Sequence, residues 1–244
     1  MTIARWGIQT IIVAALALGW GVYLLPPGPL RWAGIAVALF FWLFTVAFFR
    51  NPHRVPAGGP DCLIAPADGV VSDIGVVDEP DFIGGRALRV GIFLSVFDVH
   101  VNRSPADAEI RWAKYTPGRF LDARHPDATH ANEANSLGLE CRAPNAGLRL
   151  VVRQISGLIA RRIVCTHGVG DSVTRGELYG MIRFGSRTEL WLPADTPHRL
   201  VVAVGSRVKC GETVMIRLGA GDAAPAAPAA PAAPTAPVAP GAQS

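Results

Sequence analysis

Lysine is nearly absent from this chain of 244 residues, standing only at positions 114 and 209, so arginine carries most of the positive charge. Basic clusters of the kind that grip nucleic acid are lacking, and the modest formal charge of +4 suits an anionic lipid surface better. Cysteine is scarce as well. The four at 62, 141, 165 and 210 form no CxxC pair and no Cys/His ligand spacing, which argues against a zinc centre and against a disulfide scaffold. They read as reduced thiols facing the cytoplasm, and no metal site is expected.

Charge is missing altogether from two runs, Trp6–Leu25 and Trp32–Phe49, each near the length that crosses a bilayer as a helix. Pro26-Pro27-Gly28-Pro29 between them forces a tight turn. A secretory signal would carry one shorter apolar core followed by a small-residue cleavage site, whereas here a second apolar run follows at once. A pair of buried core helices would show a polar face, so a membrane-associated helical hairpin over residues 1–54 is the better reading. Arg5 before the first run and Arg50 and Arg54 after the second put both ends on the cytoplasmic side, with Arg31 in the turn as an objection.

From about 62 to 218 the text turns to short β-rich segments broken by Gly, Pro and Asp: Val70–Val77, Leu88–Val96, Glu109–Tyr115, Arg149–Ile155, Arg161–Thr166, Glu189–Leu192 and Arg199–Val204. The polar, aperiodic Arg119–Asn135 reads as a long loop near the working face, and Ile155–Arg162 as a candidate short helix. An internal echo, V-G-x-x-V-x-x-G-E, runs from Val169 to Glu177 and again from Val204 to Glu212. It resembles the quasi-repeated turns of lipoyl and biotinyl domains, so the expected fold is mainly β and barrel-sandwich hybrid-like over 55–220. The Ala-Ala-Pro triplets of 221–244 cannot bury enough surface to fold and should form an extended tail.

The most specific stretch is Gly176-Glu177-Leu178-Tyr179-Gly180-Met181-Ile182-Arg183-Phe184-Gly185-Ser186-Arg187. Alone, a Gly-Ser pair is a turn, Asp68-Gly69 is a turn between strands, and His100 at a strand end is a hydrogen-bonded structural residue. The surrounding blocks change that reading: Phe48-Phe49-Arg50-Asn51-Pro52, Ala65-Pro66-Ala67-Asp68-Gly69, Phe93 through Pro105, Asn132-Glu133-Ala134-Asn135, and Gly157 through Ile163. Together, and in order from about 48 to 218, they resemble the short subfamily of pyruvoyl-dependent phosphatidylserine decarboxylases.

The resemblance implies a proenzyme that cuts itself without hydrolysis between Gly185 and Ser186. Gly185 offers an unhindered carbonyl and a backbone that accepts unusual angles. The hydroxyl of Ser186 would turn the amide into an ester, and β-elimination would leave a pyruvoyl group at 186, which serves as covalent cofactor. The products would be a β chain, 1–185, and an α chain, 186–244, that remain together as a heterodimer. Further oligomerisation is left open. The substrate implied is phosphatidylserine, held by a Schiff base while CO₂ leaves, with phosphatidylethanolamine as product. Similar enzymes use an Asp, a His and the Ser together, which points to Asp68 orienting a base, with His100 preferred and His167 ranked second. Longer relatives carry H-x-x-H here, and Arg103 stands at the second of those positions. Arg103, Asn102 and the block Asn132–Asn135 are candidates for the substrate's phosphate or carboxylate. Arg187 is either structural or carboxylate-facing. The location implied is the bacterial inner membrane, with the catalytic domain in the cytoplasm.

Three other readings compete. A membrane-anchored adaptor or carrier would share a barrel-sandwich fold, but Lys209 lacks the context of a modified lysine and no long heptad helices are present. A serine protease would need a nucleophile elbow, which is missing. Archaetidylserine remains an alternative lipid substrate.

Overall fold

The computed structural model describes residues 1–122, 128–158, 162–183 and 185–219. The predicted tail, together with Phe184 and Arg161, lies outside them. Two long helices, α1 (Arg5–Tyr23) and α2 (Pro29–Phe48), occupy the two uncharged runs, and α2 opens on Pro29 at a first-turn position where no backbone donor is required. Almost none of either apolar helix is buried against the rest of the chain, unlike the core helices of a soluble domain. Such a pair points to membrane association. Its two ends are tied together where β1 (Thr2–Ile3) pairs with β2 (Arg50–Asn51).

The rest is mainly β, as the segment spacing predicted. In chain order follow β3 (Cys62–Ile64), β4 (Gly69–Glu79), β5 (Gly85–Leu94), β6 (Val101–Arg103), β7 (Ala108–Thr116), a single helical turn α3 (Ala128–Ala131), β8 (Ala134–Cys141) and β9 (Arg149–Ile155). Then come β10 (Ile163–Cys165), β11 (Ser172–Val173), β12 (Leu178–Ile182), β13 (Ser186–Pro193), β14 (His198–Leu200), β15 (Arg207–Val208) and β16 (Val214–Leu218). A curled eight-stranded sheet has the order β11-β7-β8-β9-β13-β5-β4-β15, and two three-stranded sheets, β10-β12-β6 and β14-β16-β3, complete the domain. One large apolar core, with Leu63, Ile92, Ile110, Leu139, Leu190 and Ile216 fully buried or nearly so, lies between them.

The sequence echo is a structural repeat. Gly170 donates to the carbonyl of Ile110 while Ile110 donates to that of Asp171; Gly205 and Val71 exchange the same two bonds with Ser206 as the third partner. Val173 and Val208 then turn into the core, and Gly176 and Gly211 donate to Ser104 and Ala65, each at 2.8 Å. All four glycines take positive φ, between 72° and 96°, which explains their recurrence. The repeat extends to a second pair of segments. Ala65-Pro66-Ala67-Asp68 stands to Ser104-Pro105-Ala106-Asp107 as one half to the other, and Asp68 and Asp107 each accept one backbone N–H, from Cys210 at 2.6 Å and Arg175 at 2.8 Å.

Two expectations need correction. Ile155 ends strand β9 in register with Arg187, so the proposed helix from Ile155 to Arg162 is not formed at its first residues, and Ile163 already belongs to β10. The loop read over Arg119–Asn135 ends early, because Ala134 and Asn135 open β8 against Thr116 and Tyr115.

Candidate active site

The ends of several strands are brought together at one junction. Leu94 closes β5, and six residues later His100 leads into β6; Ile155 closes β9, and eight residues later Ile163 opens β10; Ile182 closes β12, and four residues later Ser186 opens β13. Pairing joins these ends. Ser186 lies opposite Leu94, Ile182 donates to the carbonyl of His100 at 3.2 Å, and Ile163 is opposite Ile182. Ser186 and His100, 86 positions apart in sequence, are thereby delivered to the same junction.

β13 is the strand on which the site is built. It is hydrogen-bonded on both sides, to β5 and to β9, and every residue from Ser186 to Leu192 is buried. Alternation sends Ser186, Thr188 and Leu190 toward the core and Arg187, Glu189 and Trp191 to the opposite face. Gly185, immediately before the strand, has φ of 59°, in the left-handed region where glycine is at ease.

On the inner face a buried polar layer is fully bonded. Asn102 donates to Thr188 Oγ1 at 3.1 Å and to the Pro66 carbonyl, and Gln154 donates to Asn102 Oδ1 at 2.9 Å. The next positions toward the junction differ in kind. Ser186 Oγ, Ser156 Oγ and His100 Nε2 are all buried and have no hydrogen-bond partner among the described residues. Ser186 and Ser156 are each the next residue beyond Arg187 and Ile155, the last pair that joins β13 to β9. The ring of His100 packs on Phe48 at the foot of α2, with centroids 4.1 Å apart, and its Nδ1 meets the carbonyl of Asp98 at 2.9 Å. Burial pushes its pKa down to about 4, only partly offset by Asp98, so the ring is neutral at ordinary pH.

The outer face carries an ion network. Arg187 donates through Nε to Glu189 at 2.8 Å and through Nη2 to Asp73 at 2.8 Å, while Arg89 reaches Asp73 at 3.1 Å. Glu189, with no exposure, also accepts from Trp191 Nε1 and Thr129. Burial opposes ionisation of Asp73, but the bonds and charge of Arg187 outweigh it and hold its carboxyl below the usual range. Gly91 lets the guanidinium pass, since a Cβ there would collide with Arg187 and with the carboxylate of Asp73. Arg187 is therefore carboxylate-facing, toward partners within its own chain.

The remaining sequence candidates lie elsewhere or are already engaged. Asp68 accepts from Cys210 and pairs with Arg54 at 3.1 Å, without bonding to His100. Burial raises its pKa, opposed by those two partners. His167 follows β10 at its far end and lies 3.6 Å from Glu177. Arg103 is held by Asn51, Pro52 and Gly176. Asn132 bonds to Leu121 and Ser156, and Asn135 to Gln154, so these side chains brace the site's walls. Asp98, Ser156 and the Arg187 network were not singled out by sequence. For Asp98, its position two residues before His100 was the available signal.

Comparison with known proteins decides the family. The family model described as phosphatidylserine decarboxylase matches residues 41–216. The chain belongs to the phosphatidylserine decarboxylase family. A protein named phosphatidylserine decarboxylase proenzyme from Geobacter sulfurreducens is 44% identical over 213 residues, covering 87% of this chain and 91% of the relative. Proteins of the same name from Symbiobacterium thermophilum and Carboxydothermus hydrogenoformans are 47% and 44% identical, each covering 77% of this chain and 85% of the relative. Membership in this family sets aside the adaptor, carrier and protease readings.

Proposed function

We propose that this chain is a proenzyme that cuts itself between Gly185 and Ser186 and then decarboxylates phosphatidylserine to phosphatidylethanolamine and CO₂. The observation that carries the reading is the Ser186 hydroxyl, fully buried and unbonded directly after a left-handed glycine. An unsatisfied buried hydroxyl costs about 1–3 kcal/mol, and such costs concentrate where chemistry uses the group.

His100 is the base of this scheme. Its neutral Nε2 takes the proton of Ser186, whose Oγ then bonds to the Gly185 carbonyl carbon while the π pair moves onto the carbonyl oxygen. Collapse breaks the bond from that carbon to the nitrogen of residue 186, which recovers the proton, and an ester replaces the amide. Loss of the Cα proton of residue 186 breaks its Cβ–Oγ bond and frees the Gly185 carboxylate. The dehydroalanine left behind takes up water, releases ammonia and becomes the pyruvoyl group. Asp68 supplies negative charge to the same polar region, with Asp98 and Arg50 among its electrostatic neighbours as they are for His100.

The start of β13 suits such a group: Ser186 is fully buried opposite Leu94, and its hydroxyl is bonded to nothing among the described residues. The pyruvoyl would supply a keto carbon for the substrate's amine and a sink for the electrons left when CO₂ departs. The residues around it do the holding. Bonds to β5 and β9, with Arg187 anchored on Asp73, keep the new terminus of 186–244 in the sheet contributed by 1–185. The helical pair of segment 1–54 would sit in the inner membrane with segment 55–220 on the cytoplasmic side, and Phe48 links the foot of α2 to His100. A diacyl lipid could then stay in the bilayer while its head group reaches the junction.

The test is to supply phosphatidylserine vesicles to the purified chain and to Ser186→Ala. Phosphatidylethanolamine and CO₂ should appear with the first alone. A wild-type chain that cuts itself but leaves phosphatidylserine unchanged would contradict the substrate assignment.

A further inference from the structure

The turn that leads from β5 into β6 carries an apolar side chain that the reaction does not use. Ser95–Asp98 is closed by the Asp98 N–H on the Ser95 carbonyl at 3.0 Å, and Phe97 stands at its tip, 74% exposed. Among the described residues of the β domain, no large apolar side chain is more exposed. Single apolar residues at a surface are ordinary, so exposure alone decides nothing. What the ring touches is informative. It meets Phe44 of α2 edge-on, with centroids 6.3 Å apart and planes at 84°. Phe44 lies four residues before Phe48, the end of the helix, and is therefore about 6 Å further along its axis at about 1.5 Å per residue. Phe48 is the one buried residue of α2, so the tip of the turn reaches past the helix end and lies beside its uncovered turns.

Arg50 fixes that depth. Its Nη1 donates to the carbonyl of Ala47 in the last turn of α2 at 2.8 Å, and its Nη2 donates to the carbonyl of Phe97 itself at 2.6 Å. Other arginines gather at the same level. Arg5 lies over Trp6 at the start of α1, Arg183 lies over Phe49 and donates to the carbonyl of Trp6 at 2.9 Å, and Arg207, its side chain 68% exposed, reaches Asp98 at 2.9 Å. Cations at the two helix ends suit anionic head groups, and an aromatic ring one helical turn further along suits the acyl boundary beneath them. We propose, resting on the membrane reading of the helical pair, that Phe97 is a bilayer-inserted anchor: the tip of the 95–98 turn dips below the head groups beside α2 and holds the junction of Ser186 and His100 at the phospholipid surface. His100 follows three residues later and packs on Phe48, so the depth of the tip and the depth of the base are set together. Continuity with the uncovered face of α2, and the arginines around it, make lipid the occupant of this surface.

The test uses the full chain in vesicles of phosphatidylcholine and phosphatidylglycerol. A polarity-sensitive dye is attached in turn to Phe97→Cys, to Leu39→Cys in the middle of α2, and to Val169→Cys, an apolar position of similar exposure, 63%, beyond the far end of β10. Three native cysteines are buried, and the unsubstituted chain labelled alike gives the background from Cys165. Emission from position 97 should be lost to nitroxide-bearing lipids and be untouched by aqueous iodide, as at position 39, whereas position 169 should respond to iodide alone. Iodide quenching at 97 equal to that at 169, with lipid quenching confined to 39, would overturn the proposal and leave the membrane reading standing. Lipid quenching at neither 97 nor 39 would overturn both.

A second readout separates an anchor from a residue that only shapes its turn. In protein that has cut itself, Phe97→Ser should raise the KM for phosphatidylserine in vesicles about tenfold, the factor to which the low end of phenylalanine burial corresponds. Turnover of a short-chain phosphatidylserine in free solution should stay within about twofold of wild type, as for an ordinary surface substitution, and Phe97→Leu should restore the vesicle KM. Equal losses on both substrates would overturn the anchor. The dye readout needs neither self-cleavage nor decarboxylation, so it decides the proposal even where those fail.

Discussion

The two faces of β13 are equally buried and chemically opposite. Outward, Arg187 and Glu189 find counter-charges and donors on β4, β5 and α3, so the charges of that face are compensated. Inward, Thr188 is bonded, but the Ser186 hydroxyl two residues earlier is not, nor are Ser156 Oγ and His100 Nε2 among the described residues. One strand thus separates holding from reacting. Paired charges on one side keep its first residue in place, and unpaired hydroxyls with a neutral imidazole on the other remain available.

The sharpest way to break this comparison is at His100. Losing a general base costs about 10²–10⁴ in rate, so His100→Ala should leave the chain essentially uncut on gels while its thermal unfolding changes far less. Cleavage by wild type should be flat from pH 8 to 6 and decline below about 5, because the ring is protonated only near its pKa of about 4. The stability sign follows. Lowering a histidine pKa from 6.5 to about 4 stabilises the fold fully above pH 6.5, by up to about 3 kcal/mol, and this is lost as pH falls through that window. Unfolding of Ser186→Ala across pH 4 to 7 measures it.

On the outer face the expected loss is of stability. Arg187→Ala takes a buried cation from Glu189 and Asp73, leaving them to Trp191, Thr129 and Arg89, and should cost about 3 kcal/mol, seen as a lowered Tm, with the two fragments still formed wherever the chain folds. The repeat extends the contrast. Asp68→Asn and Asp107→Asn each weaken a backbone cap and should destabilise alike, by about 1 kcal/mol, yet Asp68→Asn alone should slow cleavage. Equal cleavage by both variants would reduce Asp68 to a turn residue. The smallest effect expected is at Ser156, where removing an unbonded hydroxyl with Ser156→Ala should raise stability by up to about 1 kcal/mol in the same thermal assay.

Much of this was legible in the sequence, for physical reasons. Uncharged runs longer than 17 residues have few fates, so α1 and α2 were visible to within about three residues. Alternating β-branched segments revealed β4, β5, β7 and β9, and the V-G-x-x-V-x-x-G-E echo revealed a repeat because positive φ demands glycine at fixed places. Strand β8 escaped, since Ala134-Asn135-Ser136 has neither β-branching nor an apolar rhythm and is held by its neighbours β7 and β9. The Gly185–Ser186 pair was readable through family resemblance. The orientation of His100 was not, because it depends on a turn whose carbonyl direction no side-chain pattern encodes. Nor was the Arg187 network, whose partners Asp73 and Arg89 are about 100 positions away and meet it only through sheet register.

The central claim is that Ser186 becomes the cofactor, and intact mass measurement of the purified chain beside Ser186→Ala tests it most directly. Two fragments are predicted for wild type, 1–185 ending in a free carboxylate and 186–244 beginning with a pyruvoyl group, with the variant a single uncut chain. A folded wild-type chain of full mass, or fragments that meet at 185 and 186 with an ordinary serine amino terminus, would contradict it.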